Sequence, residues 1–224
     1  MQKAQRRPQV NPFNLKPMPS IMPLHDNKIY QKYSKKTLSN KEKNKISFCQ
    51  DFGLEYDKKK ALLCLTFPLT EESNIEMLKD IIAGILEQNI TLVFTGIGSQ
   101  KYQDFFTHLA EDHPKKIAIV SNNEANKRKI YAASNIFLGT SNDKECLNEM
   151  ENAMHYGVVP ISAQNELTAD YDGAKEQGNA FIYNEKSPWG FFAALVRALE
   201  SFKFPYDWKT IQVNAMGGDE LEEE

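Results

Sequence analysis

The apolar residues of this 224-residue chain change their rhythm at Lys60. Beyond it come short runs: ALLCLTF (61–67), ITLVFTG (90–96), KIAIVS (116–121), NIFLG (135–139), VVPIS (158–162) and AFIY (180–183). They are rich in β-branched and large apolar residues and do not alternate with polar ones, as expected of strands buried on both faces. Amphipathic stretches lie between them. Residues 74–87 set Ile75, Leu78, Ile82 and Ile85 on one stripe, and 100–111 do the same with Tyr102, Phe105, Phe106 and Leu109. Stretches 123–133, 145–156 and 188–202 complete the series, with Pro188 suited to a first helical turn. This alternation predicts βαβ units: an α/β class, with one Rossmann-like domain over 61–216 whose parallel sheet is flanked by helices.

Ahead of that domain the pattern is different. Residues 1–25 hold Pro8, Pro12, Pro17, Pro19 and Pro23 between isolated apolar residues, a composition for an extended, polyproline-like N-terminal arm. Phe13, Leu15, Met18, Ile21, Met22 and Leu24 would be wasted on pure linker, so the arm is expected to dock on a protein partner or to self-associate; a solvated arm is the competing reading. Residues 26–60 form a polar, lysine-rich lead-in. Within it, 36–52 carry Leu38, Ile46, Cys49 and Phe52 at helical spacing, with Gly53 as a stop. Residues 217–224 make an acidic tail.

Charge and cysteine usage narrow the classes. The net charge of −3 disfavours a nucleic-acid partner, although the first 45 residues set eleven Lys and Arg against only Asp26 and Glu42. Cys49, Cys64 and Cys146 lack zinc or redox spacing, and an odd count fits reduced thiols in the cytoplasm. Neither a signal peptide nor an 18-residue apolar run is found, so no membrane span is expected. His108 and His113 are five apart, and His25 and His155 stand alone, so no metal site and no cofactor is expected. His155 is placed where an imidazolium favours a helix C-terminus.

Ligands of an open α/β sheet gather where loops leave the carboxyl ends of strands. Two such places draw attention. TGIGSQKY (95–102) could let Gly96 and Gly98 bring backbone amides to a phosphate, although tight turning alone explains two glycines. The loop after Leu138 opens a helix carrying Glu145, Glu149 and Glu151, and carboxylates in a first turn suit a helix whatever its function. Trp189, Phe191 and Trp208 could present aromatic faces to a glycan, or belong to the core.

Five segments, in order, resemble bacterial glycogen/starch synthases over residues 26–219. LTEESNIEMLKDII stands where that family has R-L-x-x-Q-K-G. TGIGSQKYQDFF is similar to L-G-x-G-D-x-x-Y-x-x-x-F, and IYAASNIFLGTS to I-Y-A-x-A-D-x-x-L-x-P-S. ECLNEMENAMHYGVVPI resembles E-P-C-G-L-T-Q-x-x-A-M-x-Y-G-T-x-P-V, and WKTIQVNAMGGD resembles W-x-x-L-x-x-x-A-M-x-x-D. The resemblance implies the C-terminal half of a two-domain GT-B fold and descent from retaining ADP-glucose glucosyltransferases. If nucleotide-sugar binding is retained, it implies Gly96, Gly98, Ser141, Glu145, Tyr156 and Gly157 as its residues, with ADP-glucose or ADP as ligand.

The departures from that pattern fall where chemistry would be. The family's arginine falls on Pro68 and its lysine on Ser73, the two cations that would hold a diphosphate. Its donor-site glutamate falls on Lys144, unless a one-residue slip puts Glu145 there, and its T-G-G-L loop is reduced to Asn165-Glu166-Leu167. One lost charge-assisted contact costs roughly 2–4 kcal/mol, and a barrier raised by about 5 kcal/mol slows transfer more than a thousandfold. The acceptor-side domain is also missing from the sequence as it stands. The expectation is therefore a non-catalytic domain kept for binding or structure, and the alternative is the ADP-glucose-binding half of a split glycogen synthase.

Overall fold

A computed structural model describes residues 22–217. Six strands form one parallel sheet: β1 (Ala61–Leu65), β2 (Ile90–Thr95), β3 (Ile117–Val120), β4 (Ile136–Leu138), β5 (Val159–Ser162) and β6 (Phe181–Ile182). Their spatial order is β3-β2-β1-β4-β5-β6. The apolar runs are buried as predicted, and all of β1, β2, β4, β5 and β6 is buried. Each run loses one or two residues from its ends.

Helices α1 (Lys41–Asp51), α2 (Ile75–Leu86), α3 (Gln100–Asp112), α4 (Glu124–Ala133), α5 (Lys144–His155), α6 (Pro188–Phe202) and α7 (Pro205–Ala215) pack around the sheet. Pro188 opens α6 and Ser187 caps it by accepting from the Gly190 amide. Helix α7, which the hydrophobic pattern does not announce, is held by Trp208, Ile211 and Ala215 in the core and by the Gln212 side chain donating to the Gly157 carbonyl at 2.9 Å. Trp208 and Phe191 are therefore core residues, whereas Trp189 is 73% exposed.

The lead-in is part of this core. Ile29, Tyr33, Leu38, Phe48, Cys49 and Leu54 join the apolar cluster, and α1 packs on α4. Some of its polar residues, Asp26, Ser34, Lys41, Asn44 and Lys45, are buried as well. Tyr156 donates its phenol proton to Asp26, Arg128 lies 3.6 Å from that carboxylate, and Tyr33 donates to the Tyr156 carbonyl at 2.8 Å. Lys41 donates to the carbonyls of Tyr131 (2.7 Å) and Ala132 (3.0 Å), the open C-terminal end of α4. Burial pulls its ammonium down to about 7. The expected arm lies almost wholly in residues 1–21, and the acidic tail in 218–224, both outside the described residues.

His155 corrects the expectation of a helix-stabilising imidazolium. It is 5% exposed in the last turn of α5, and burial lowers its pKa, so the neutral ring is the one the fold accommodates. The free cysteines are all buried, and burial pushes the Cys64 and Cys146 thiols up to about 12. Among the described residues no His, Cys, Asp or Glu cluster could hold a metal ion, and no helix is long and apolar enough to cross a membrane.

Two expected outcomes follow from this packing. Gly53 has φ +67° with open space around it, whereas Gly98 has φ +136° and an added Cβ would lie 2.2 Å from the Leu69 carbonyl oxygen. Urea denaturation should show Gly53→Ala costing about 1–2 kcal/mol, the penalty of a left-handed backbone alone, and Gly98→Ala failing to reach a native baseline. For His155, the folded pKa lies below the unfolded value, so the unfolded chain takes up the proton first. Its contribution is present above about pH 6.5 and is lost as pH falls through the folded pKa. The urea midpoint of the native protein should fall more steeply between neutral and acid pH than that of His155→Gln.

Candidate functional site

Strand order reverses between β1 and β4, so the crevice between the loops following them is where a ligand of such a sheet would enter. The chain fills that crevice with its own contacts. After β1, the Ser73 hydroxyl donates to the Pro68 carbonyl at 2.7 Å, and the Ser73 amide donates to Thr70 Oγ1 at 3.2 Å. Asn74, the next residue, is left-handed (φ 55°). That conformation suits Asn among non-glycine residues because its short polar side chain bonds locally. Here the Asn74 amide reaches across to the Thr140 carbonyl at 3.3 Å, while the Thr140 hydroxyl donates back to the Ser73 carbonyl. Ser73 and Thr140 are 3% and 1% exposed. Two loops that would flank a ligand are thus bonded to each other.

The helix that starts there is also occupied. Asp143 caps α5 by accepting from the Glu145 amide (2.8 Å) and the Cys146 amide (2.9 Å), and Ser141 donates its hydroxyl to the same carboxylate. The amides that attract a phosphate at a helix N-terminus already face an anion belonging to the chain. The three glutamates of α5 point to different places. Glu145 is exposed. Glu149 binds Lys127 at 2.5 Å and accepts from Tyr131. Glu151 lines a shallow cleft of about 280 Å³ with Asn142, Lys144, Leu147, Glu166 and Leu167. Burial, then the Glu166 carboxylate, raises the Glu151 pKa, so an anion entering this cleft would meet two acidic groups beside the Lys144 ammonium.

The six residues singled out in the sequence are not brought to one place. Ser141 and Glu145 stand together at the start of α5. Tyr156 and Gly157 lie beyond its other end, about 18 Å away along a 12-residue helix. There Tyr156 is fully buried against Asp26, and Gly157 takes φ +66° beside Met216. Gly96 and Gly98 are at the carboxyl edge, after β2. A Cβ on Gly96 would press on Ile119 at 2.8 Å, and Gly98 lets Ser99 donate to the Leu69 carbonyl at 3.0 Å, so each has a packing role. Asp143 and Asn74 were not singled out. The signal for Asp143 was its place just ahead of a charged first turn, and that for Asn74 its alignment with a family glycine.

No family model matches the chain. Among curated proteins, it is 31% identical over 192 residues to a glycogen synthase of Syntrophotalea carbinolica, covering 84% of this chain and 40% of that protein. It is 28% identical over 203 residues to glycogen synthase 1 of Synechocystis sp., covering 88% and 43%. Among solved structures, the catalytic domain of Arabidopsis thaliana starch synthase IV, bound to ADP and acarbose, superposes with a TM-score of 0.79 at 24% identity, covering 90% of this chain and 43% of that one. The C-terminal domain of a group 1 glycosyl transferase from Francisella tularensis gives 0.58 at 14% identity, covering 82% and 94%. The chain spans about two fifths of the length of the curated relatives it matches. Sequence likeness and fold together make this a glycogen/starch synthase-like domain, similar to the C-terminal half of that GT-B arrangement.

Proposed function

We propose that this is a degenerate glycogen/starch synthase-like domain without glucosyltransferase activity of its own, serving as a binding or structural subunit in a protein assembly. The observation that carries the reading is the closed switch-point crevice. Pro68 and Ser73 stand where the family's two cations would be, and Ser73 spends its hydroxyl on the Pro68 carbonyl. A diphosphate would have to part the Ser73–Asn74–Thr140 contacts and displace Asp143 from the α5 amides, without the two family cations that Pro68 and Ser73 replace. Each charge-assisted contact so lost removes roughly 1.5–3 kcal/mol of binding. The basic, proline-bearing arm is the part offered to a protein partner.

A second reading is the ADP-glucose-binding half of a split synthase whose acceptor side is a separate chain. It takes support from the starch synthase that superposes on this fold, which was solved with ADP. Titration calorimetry separates the two. The first reading expects no heat of binding from ADP or ADP-glucose up to millimolar ligand. Saturable binding tighter than about 1 mM, a free energy of about −4 kcal/mol, would sink it in favour of the second.

Asp143 offers an independent check on the occupied helix terminus. Asp143→Ala should cost about 0.5–2 kcal/mol by loss of the cap and should free the α5 amides for an external anion. Sulfate should then raise the melting temperature of the variant more than that of the native protein. Equal shifts would mean that the cap does not exclude anions.

A further inference from the structure

The elbow between α6 and α7 leaves large aromatic side chains in water. Phe204 is 59% exposed and Tyr206 68%. Beside them, Phe202 packs edge-on against Trp208 at 5.1 Å, and the Lys45 ammonium lies within 5.5 Å of the Phe202 ring and 5.9 Å of the Tyr56 ring, itself 37% exposed. The rim carries carboxylates among lysines: Glu176, next to Lys175, accepts from the Tyr206 hydroxyl at 3.0 Å, and Asp207 sits in the first turn of α7 between Lys203 and Lys209. Four buried side-chain polar atoms lack a hydrogen-bond partner among the described residues, and two belong here, Trp208 Nε1 and the Tyr171 hydroxyl. Those two atoms lie beneath the surface, which itself presents aromatic faces and carboxylates.

A polyproline segment offers the complement. It is preformed, its carbonyls have no internal donors, and aromatic-lined surfaces recognise it for those reasons. Residues 1–21 of this chain carry Pro8, Pro12, Pro17 and Pro19 with Lys3, Arg6, Arg7 and Lys16 and no acidic residue. They enter the domain at Met22, next to the Asp26–Tyr156 bond. Helix α7 joins that root to the elbow. Its C-terminal half holds Gly157 through Gln212, and its N-terminus is the elbow itself, about 16 Å away over 11 residues. Twenty-one residues of polyproline span about 65 Å, so the arm reaches with length to spare.

We propose that the α6–α7 elbow is the seat of the N-terminal arm of the same chain, with prolines and Phe13 on Phe204 and Tyr206 and the basic residues on the Glu176–Asp207 rim. Tethering favours the chain's own arm over a second copy through its high effective concentration. The inference rests on reading the arm as a docking element, and it adds a regulatory consequence: a partner that captures the arm must draw it off this seat.

The test is limited chymotrypsin digestion of the full chain, with cleavage after Phe13 read by mass spectrometry. Docking predicts slow cleavage in the native protein, about tenfold faster in Phe204→Ser/Tyr206→Ser, because proteolysis tracks the undocked fraction. Arg6→Glu/Arg7→Glu, which leaves the folded domain untouched, should accelerate it similarly. Unchanged melting temperatures certify that both variants are folded. Equal rates in all three proteins overturn the proposal. Protection that grows over a twentyfold range of protein concentration also overturns it, since the arm would then come from a second copy. Neither result touches the nucleotide titration, so the seat and the non-catalytic reading fail separately.

Discussion

Polar groups removed from water at the carboxyl edge of the sheet must find partners, and here the loops after β1 and β4 find them in each other. Thr140 and Ser73 are buried at the point where strand order reverses. Each would leave an orphaned hydroxyl or carbonyl if the loops parted. This chain supplies those partners itself, through the Thr140 hydroxyl on the Ser73 carbonyl and the Asn74 amide on the Thr140 carbonyl. The left-handed Asn74 makes the crossing possible: a glycine would adopt that backbone with less strain but would have no side chain to send across.

The same logic continues down α5. An open helix N-terminus attracts anions, and Asp143 answers that demand internally, with Ser141 holding the carboxylate in place. At the other end Tyr156, Tyr33 and Asp26 fasten the lead-in under the sheet. Helix α5 is therefore bonded within the chain at both of its ends.

Much of the architecture was legible in the chain because parallel strands buried on both faces leave continuous apolar runs. All six runs became strands, and Pro188 and Gly53 stand at helix boundaries as their backbone preferences require. The lead-in was less legible. Lys41, Lys45 and Asn44 belong to a lead-in read only as polar and lysine-rich, yet all three are buried, and α1 is stabilised by what its lysines reach: carbonyls of Tyr131, Ala132 and Lys60. Those acceptors lie far along the sequence, and no local pattern announces them. Helix α7 was missed for a related reason, since its buried Gln212 breaks the apolar stripe and is satisfied only by the distant Gly157 carbonyl. Similarly, sequence alignment gathered Tyr156 with Ser141 as site residues, but the helix between them keeps them a helix length apart.

A scaffold can lose its chemistry more easily than its shape because the two rest on different residues. The sheet depends on apolar runs and on glycines such as Gly98, where the Leu69 backbone passes too close for any Cβ. Recognition of a diphosphate would depend on a few cations in a dry cleft. With Pro68 and Ser73 at those positions, the chain buries no unpaired cation there. The contacts of Ser73 and Thr140 hold the two loops together there. The reading proposed above thus needs changes at the carboxyl edge alone, while the fold stays recognisable at 0.79 TM-score to a starch synthase catalytic domain.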